Sequence, residues 1–92
     1  MKKIINGKKY DTETAAYICG YVFGTYNDLF YNEESLYRKK NGEFFFYGYG
    51  GPGTSYKCEE IIEPFTESEA KNFIEKYGDV ETYEELFGEV EE

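Results

Sequence analysis

Carboxylates and phenols are the groups with chemical reach in this chain. Glu81, Glu84, Glu85 and Glu89 recur along one side of a short helical pattern near the C-terminus, and Tyr47, Tyr49 and Tyr56 border a glycine-rich stretch from Gly48 to Gly53. Paired carboxylates can serve as general acid and base. With no histidine, however, there is no Ser-His or Cys-His nucleophile pair, no imidazole for a metal and no group that titrates unaided near neutrality. Cys19 and Cys58 are too few and too far apart for zinc, and read as reduced thiols. The expectation is therefore no catalytic, cofactor-binding or metal-binding residue. The glycines lack the helix start that a phosphate cradle needs, because a strand pattern follows them. What remains for the acids is electrostatics: like charges at i, i+4 oppose a helix by about 0.2–0.5 kcal/mol each, a cost offset by solubility or by a basic partner. A protein surface that normally grips a nucleic-acid backbone is such a partner, with Tyr47, Tyr49 and Tyr56 as candidate anchors.

Charge supports that choice. The net charge is −9 and it is unevenly placed: up to Gly42 there are seven basic residues against five acids, and from Glu43 onward three lysines against fourteen acids. Such a field repels nucleic acid and attracts basic surfaces, so no direct nucleic-acid partner is expected. The basic residues gather beside two Asn-Gly dipeptides, Lys8 and Lys9 at the first, Arg38, Lys39 and Lys40 at the second, where charge discourages edge-to-edge strand pairing. The absence of a long apolar run and of a leader pattern predicts a cytoplasmic protein that does not engage a membrane.

The elements that position these groups follow from local patterns. Ninety-two residues predict a single domain, 1–92, with an aromatic-rich core, since a chain this short buries only about 60–65% of its unfolded surface. Eleven tyrosines and eight phenylalanines supply that core, and no tryptophan does. The organising stretch is Ser35–Gly51, a hairpin turning at Asn41-Gly42. A two-residue type I′ loop there sets Lys40 opposite Glu43, Arg38 opposite Phe45 and Leu36 opposite Tyr47. Tyr37, Phe44 and Phe46 then share one face, and Leu36, Arg38, Phe45 and Tyr47 the other. Asn6-Gly7 repeats the signal in miniature, as a short hairpin or a strand and turn. One helical turn is expected over 12–16 and a strand over 17–24, followed by a turn at Gly24–Asp28. Glu33-Glu34 reads as a bulge or kink, residues 48–55 as a loop that reverses the chain, and residues 56–65 as a strand ended by Pro64. Thr66 with Glu69 is a capping box for a helix whose Ala70, Phe73, Ile74 and Tyr77 fall at helical spacing. Gly78 stops it, and Asp79 caps a second helix with Val80, Tyr83, Leu86 and Phe87 as its buried side. The predicted class is α+β: a small antiparallel meander with two C-terminal helices on one face.

The segments KKIINGKKYDTETA, SLYRKKNGEFFFYGYGG, EIIEPFTESEAKNFIEKY and YEELFGE resemble a group of small proteins carried by bacteriophages, plasmids and conjugative elements. That group is typified by an INGKxYDTETA opening, an LYRxxxGxFFLYGxGG hairpin, an acidic helix after PLT and a YEEIFG ending. The likeness spans nearly the whole chain; Tyr49 stands where the pattern usually has an acid, and the loop from Pro52 to Cys58 is shorter than usual. The resemblance implies an accessory protein that acts against host defences, nearest in class to anti-CRISPR inhibitors of Cas nucleases. Its partner would be a host CRISPR-Cas effector. The rival reading is a self-associating structural or regulatory module of a mobile element, its basic hairpin tips meeting the acidic end of a neighbour; a carboxylate-dependent enzyme is a distant third.

Overall fold

In the computed structural model, which describes residues 1–91, the central turn is one residue longer than the Asn-Gly rule predicts. The amide of Lys39 donates to the carbonyl of Glu43 at 2.8 Å, and that of Gly42 to the carbonyl of Lys39 at 2.9 Å. Of the two expected left-handed residues only Gly42 is left-handed, with φ of 94°. This is a three-residue loop, a type I turn followed by a glycine bulge. The Asn41 side chain favours it by accepting from the Glu43 amide at 3.0 Å while donating to the Glu43 carboxylate at 2.9 Å. At Asn6-Gly7, by contrast, both residues are left-handed, with φ of 52° and 78°, and Ile5 pairs directly with Lys8.

The extra loop residue shifts the predicted register by one and moves each β4 side chain to the opposite face. Strands β4 (Asn32–Arg38) and β5 (Phe44–Gly50) pair Arg38 with Phe44, Tyr37 with Phe45, Leu36 with Phe46 and Ser35 with Tyr47. Leu36, Arg38, Phe44 and Phe46 therefore share one face, and Ser35, Tyr37, Phe45 and Tyr47 the other. With β3 (Ala16–Phe23) and β6 (Glu60–Phe65) they form a four-stranded antiparallel meander in the order β3-β4-β5-β6. Strands β1 (Lys2–Ile5) and β2 (Lys8–Asp11) make a separate two-stranded sheet.

The one helical turn expected near residues 12–16 stands as an isolated turn, closed by the i→i−4 bond of the Ala15 amide to the Asp11 carbonyl at 3.1 Å. Several other local expectations are corrected. Glu33 and Glu34 lie in an unbroken β4, and the sheet's irregularity falls in β3 between Tyr17 and Cys19. Gly48 to Gly50 continue β5, and β6 starts only at Glu60, after a turn in which Lys57 and Cys58 are left-handed. Pro64 sits inside β6 opposite Phe45, which its place on an edge strand permits.

Helices α1 (Glu67–Tyr77) and α2 (Val80–Phe87) follow the capping signals. Thr66 and Glu69 complete the capping box, and Asp79 Oδ1 accepts from the Thr82 amide at 2.8 Å. Gly78 caps α1 in an extended conformation, its amide donating to the Ile74 carbonyl at 2.7 Å, and it leaves no room for a side chain: a β-carbon there would come within 2.8 Å of Ile74 Cγ2. Ala70, Phe73 and Ile74 pack on Cys19, Leu36, Phe44 and Phe46, while Tyr10, backed by Met1, Ile5 and Ala15, packs on Phe45 and Ile62 across the sheet. Tyr83, Leu86 and Phe87 join the helix-side core half-buried, but Val80 stays 67% exposed. The β1-β2 hairpin is tied down by Lys8, whose Nζ lies 2.7 Å from Glu43, and by Lys39 Nζ, 3.9 Å above the Tyr10 ring. Both covering layers thus meet over the phenylalanines of β5, and the helix layer extends from there to Tyr21.

Phe45 is fully buried, so Phe45→Ala is expected to cost about 3–5 kcal/mol in urea unfolding, while Val22→Ala at an exposed position on β3 stays within about 0.5 kcal/mol.

Candidate functional site

Away from the turn, much of the hairpin side of the sheet is left exposed or half-buried, while on the other side α1 still reaches Tyr21 through Tyr77. On the hairpin side, cross-strand partners fall into rows. Tyr17, Tyr37, Phe45 and Pro64 form the row under the hairpin; next come Gly20, Ser35, Tyr47 and Ile62; last come Val22, Glu33, Tyr49 and Glu60. The Tyr17 and Tyr37 rings meet edge to face with centroids 5.8 Å apart. Tyr26 stacks on Tyr49 at 6.0 Å, and Tyr31 lies 6.1 Å from Tyr49. Tyr31 Oη donates to Glu33 Oε2 at 2.6 Å, and Tyr47 Oη to Glu60 Oε2 at 2.8 Å.

The helix side carries the complementary half of the alternation. Glu34 faces Tyr21 across β3 and accepts a hydrogen bond from Tyr56 Oη. The Tyr56 ring lies over Gly48 and Gly50, where any β-carbon would strike it, at 2.8 and 2.7 Å respectively. Tyr21 in turn stacks on Tyr77 of α1 at 4.6 Å. The two neighbouring glutamates of β4 are therefore each set among tyrosines, on opposite faces. Glu34, half-buried on the helix side, holds the 51–58 loop through Tyr56, and Glu33, also half-buried, lies on the hairpin side.

These settings shift the phenols. The hydrogen bond to Glu33, then burial, pushes Tyr31 up to about 12; burial, then the charge of Glu34, does the same to Tyr21. Burial and their bonds to Glu60 and Glu34 raise Tyr47 and Tyr56 as well. Burial also raises Tyr17 and Tyr37, with the charge of Glu33 adding to each.

The residues predicted to bind a partner divide among three places. Glu81 and Glu85 are exposed on α2, and Glu84 beside them is half-buried and accepts from the Val90 amide at 3.2 Å. Glu89 lies past Gly88, whose φ of 91° takes the chain off the helix axis, so helical spacing does not place it. Tyr47 and Tyr49 lie on the hairpin side of the sheet, across from α2, and Tyr56 lies on the helix side, engaged with Glu34. Sequence reasoning missed Glu33, Tyr17, Tyr31 and Tyr37. Alternation along β4 would have grouped Glu33, Ser35 and Tyr37 with Tyr47 and Tyr49 once the loop length was right.

Cys19 and Cys58 are free thiols, the first buried and the second exposed. Among the described residues the ion pairs are Lys8–Glu43, Lys39–Glu43 and a long Lys71–Glu67 contact at 4.0 Å, so the α2 carboxylates and Glu33 have no cationic partner within the chain. Also among those residues, no helix is long and apolar enough to cross a membrane.

A phenol whose ionisation is raised by folding stabilises the fold fully below its ordinary value of 10, and that contribution disappears as pH climbs through the raised value, about 12 for Tyr21 and Tyr31. Phenolate absorbance followed together with circular dichroism should therefore show stability level up to about pH 10 and falling from there to about 12. Glu33→Gln should bring Tyr31 ionisation down toward the ordinary value.

No family model, no curated protein and no solved structure matches this chain.

Proposed function

We propose that this chain is a non-enzymatic anti-defence protein that binds a host nucleic-acid-gripping nuclease, a CRISPR-Cas effector, through unneutralised carboxylates, and inhibits it in the bacterial cytoplasm. The observation that carries the reading is the distribution of ion pairs. Within the described residues only Glu43 and Glu67 are paired with lysines, which leaves Glu81, Glu84 and Glu85 of α2 without internal counter-charges. Their field is directed outward, where it speeds docking onto a basic groove and competes with a phosphate backbone for it. The likeness to accessory proteins of mobile elements, carried by the hairpin and the YEELFGE ending, supplies the choice of partner.

The rival reading, self-association through basic hairpin tips, is less favoured by the same pairs. Lys8 and Lys39 already serve Glu43 within the chain, and that engagement removes two of the cations such a contact would use.

The test is titration of the protein against a panel of Cas effector nucleases with DNA cleavage as readout. The expected result is inhibition complete near one equivalent and weakened by added salt, with the combined change E81Q, E84Q and E85Q lowering affinity about tenfold. Inhibition unchanged by that triple substitution, or no effector inhibited, would overturn the reading.

A further inference from the structure

The hairpin side of the sheet has a trough whose use the α2 carboxylates do not explain. Its floor is the small pair Gly20 and Ser35, so close together that a β-carbon on Gly20 would lie 3.0 Å from Ser35 Oγ. Same-face rows are two residues apart, about 6.6 Å, so the rows flanking this floor stand about 13 Å from each other. One flank is the Tyr17–Tyr37 ring pair; the other is Glu33 with Val22, and Tyr47 closes the end toward β5. Glu33 is bonded directly to Tyr31, and its charge adds more weakly to the raised ionisation of Tyr17, Tyr37 and Tyr47 along the same face. Tyr31 occupies one Glu33 oxygen and leaves the other available. No lysine or arginine among the described residues forms an ion pair with Glu33.

We infer that this trough, bounded by Tyr17, Gly20, Glu33, Ser35, Tyr37 and Tyr47, receives an arginine side chain from a basic protein partner. Aromatic faces attract cations, and a carboxylate beside them fixes the cation's position. A guanidinium suits the site better than an ammonium, because its plane can lie along a tyrosine ring while its edge donates to the carboxylate. The small floor admits the flat group, and the absence of an internal counter-ion leaves the charge to be met from outside. This deepens the function proposed above, on which it rests for the identity of the partner, while the chemistry of the trough can be tested separately.

The experiment is an NMR titration of the whole protein, at physiological ionic strength, with a glycine-spaced arginine peptide and its lysine counterpart. The largest amide shifts are expected at Gly20, Glu33 and Ser35, with arginine binding about fivefold tighter than lysine. Glu33→Gln should weaken the arginine peptide about tenfold, and Glu75→Gln, exposed on α1 across the sheet, should not. Ser35→Arg puts a guanidinium of the chain's own into the trough and should abolish binding. Shifts centred on α2, equal affinity for the two peptides, or binding undiminished in Ser35→Arg would overturn the inference. Nuclease inhibition that survives Glu33→Gln would also overturn it and leave the proposed function standing. Peptide capture in the trough by a chain that inhibits no nuclease would do the reverse.

Discussion

Everything else in the molecule depends on burying three consecutive phenylalanines of one strand on two sides. Phe44 and Phe46 point to the helices and Phe45 to the N-terminal hairpin, and all three are buried. A sheet of four strands in so short a chain has two faces to cover, and the remaining residues provide only a pair of short helices and a hairpin of two four-residue strands to do it. Both layers go where the rings are. Ion pairing follows the same economy: Lys8 and Lys39 converge on Glu43 at the turn end, where they fasten one layer to the sheet.

The opposite end of the sheet is consequently furnished by loops and by tyrosines. The 24–31 and 51–58 loops are laced to each other by the Gly51 amide on the Tyr31 carbonyl at 2.7 Å and the Gly53 amide on the Leu29 carbonyl at 2.8 Å. Phenols suit this position because each offers a ring to pack and a hydroxyl to bond, which phenylalanine cannot do at a half-wet surface. Glutamates accept those hydroxyls in three places, Glu33, Glu34 and Glu60. The high tyrosine content is thus a device for ending a sheet in solvent, and it concentrates binding chemistry where the core stops.

The helices were the most legible part of the sequence. Capping residues and apolar spacing act locally, so Thr66, Glu69, Gly78 and Asp79 marked both boundaries without reference to the rest of the fold. The meander order was legible for a similar reason, since sequential strands joined by short turns pair with their neighbours. The register was not. Asn-Gly is compatible with two loop lengths, and the choice between them rested on a side-chain bond from Asn41 to Glu43 that composition does not reveal. That single residue of difference decided which side chains share a face, so the α2 glutamates could be named in advance while the surroundings of Glu33 could not. Glu89 illustrates the same limit at the other end: a helical wheel assumes the helix continues, and Gly88 ends it.

The loop Lys40-Asn41-Gly42 acts on the sheet as a parity setting. Odd and even positions of β4 are assigned to the helices or to the hairpin by a count of residues at a solvent-exposed tip, some distance from the surfaces that the count controls. Variation at this tip is consequently constrained in number throughout and in kind at two positions, Gly42 by its positive φ and Asn41 by its bonds to Glu43. The lysine can change with little effect, but one residue gained or lost would turn Leu36 out toward the tyrosines and Glu33 in toward α1, inverting core and binding face together.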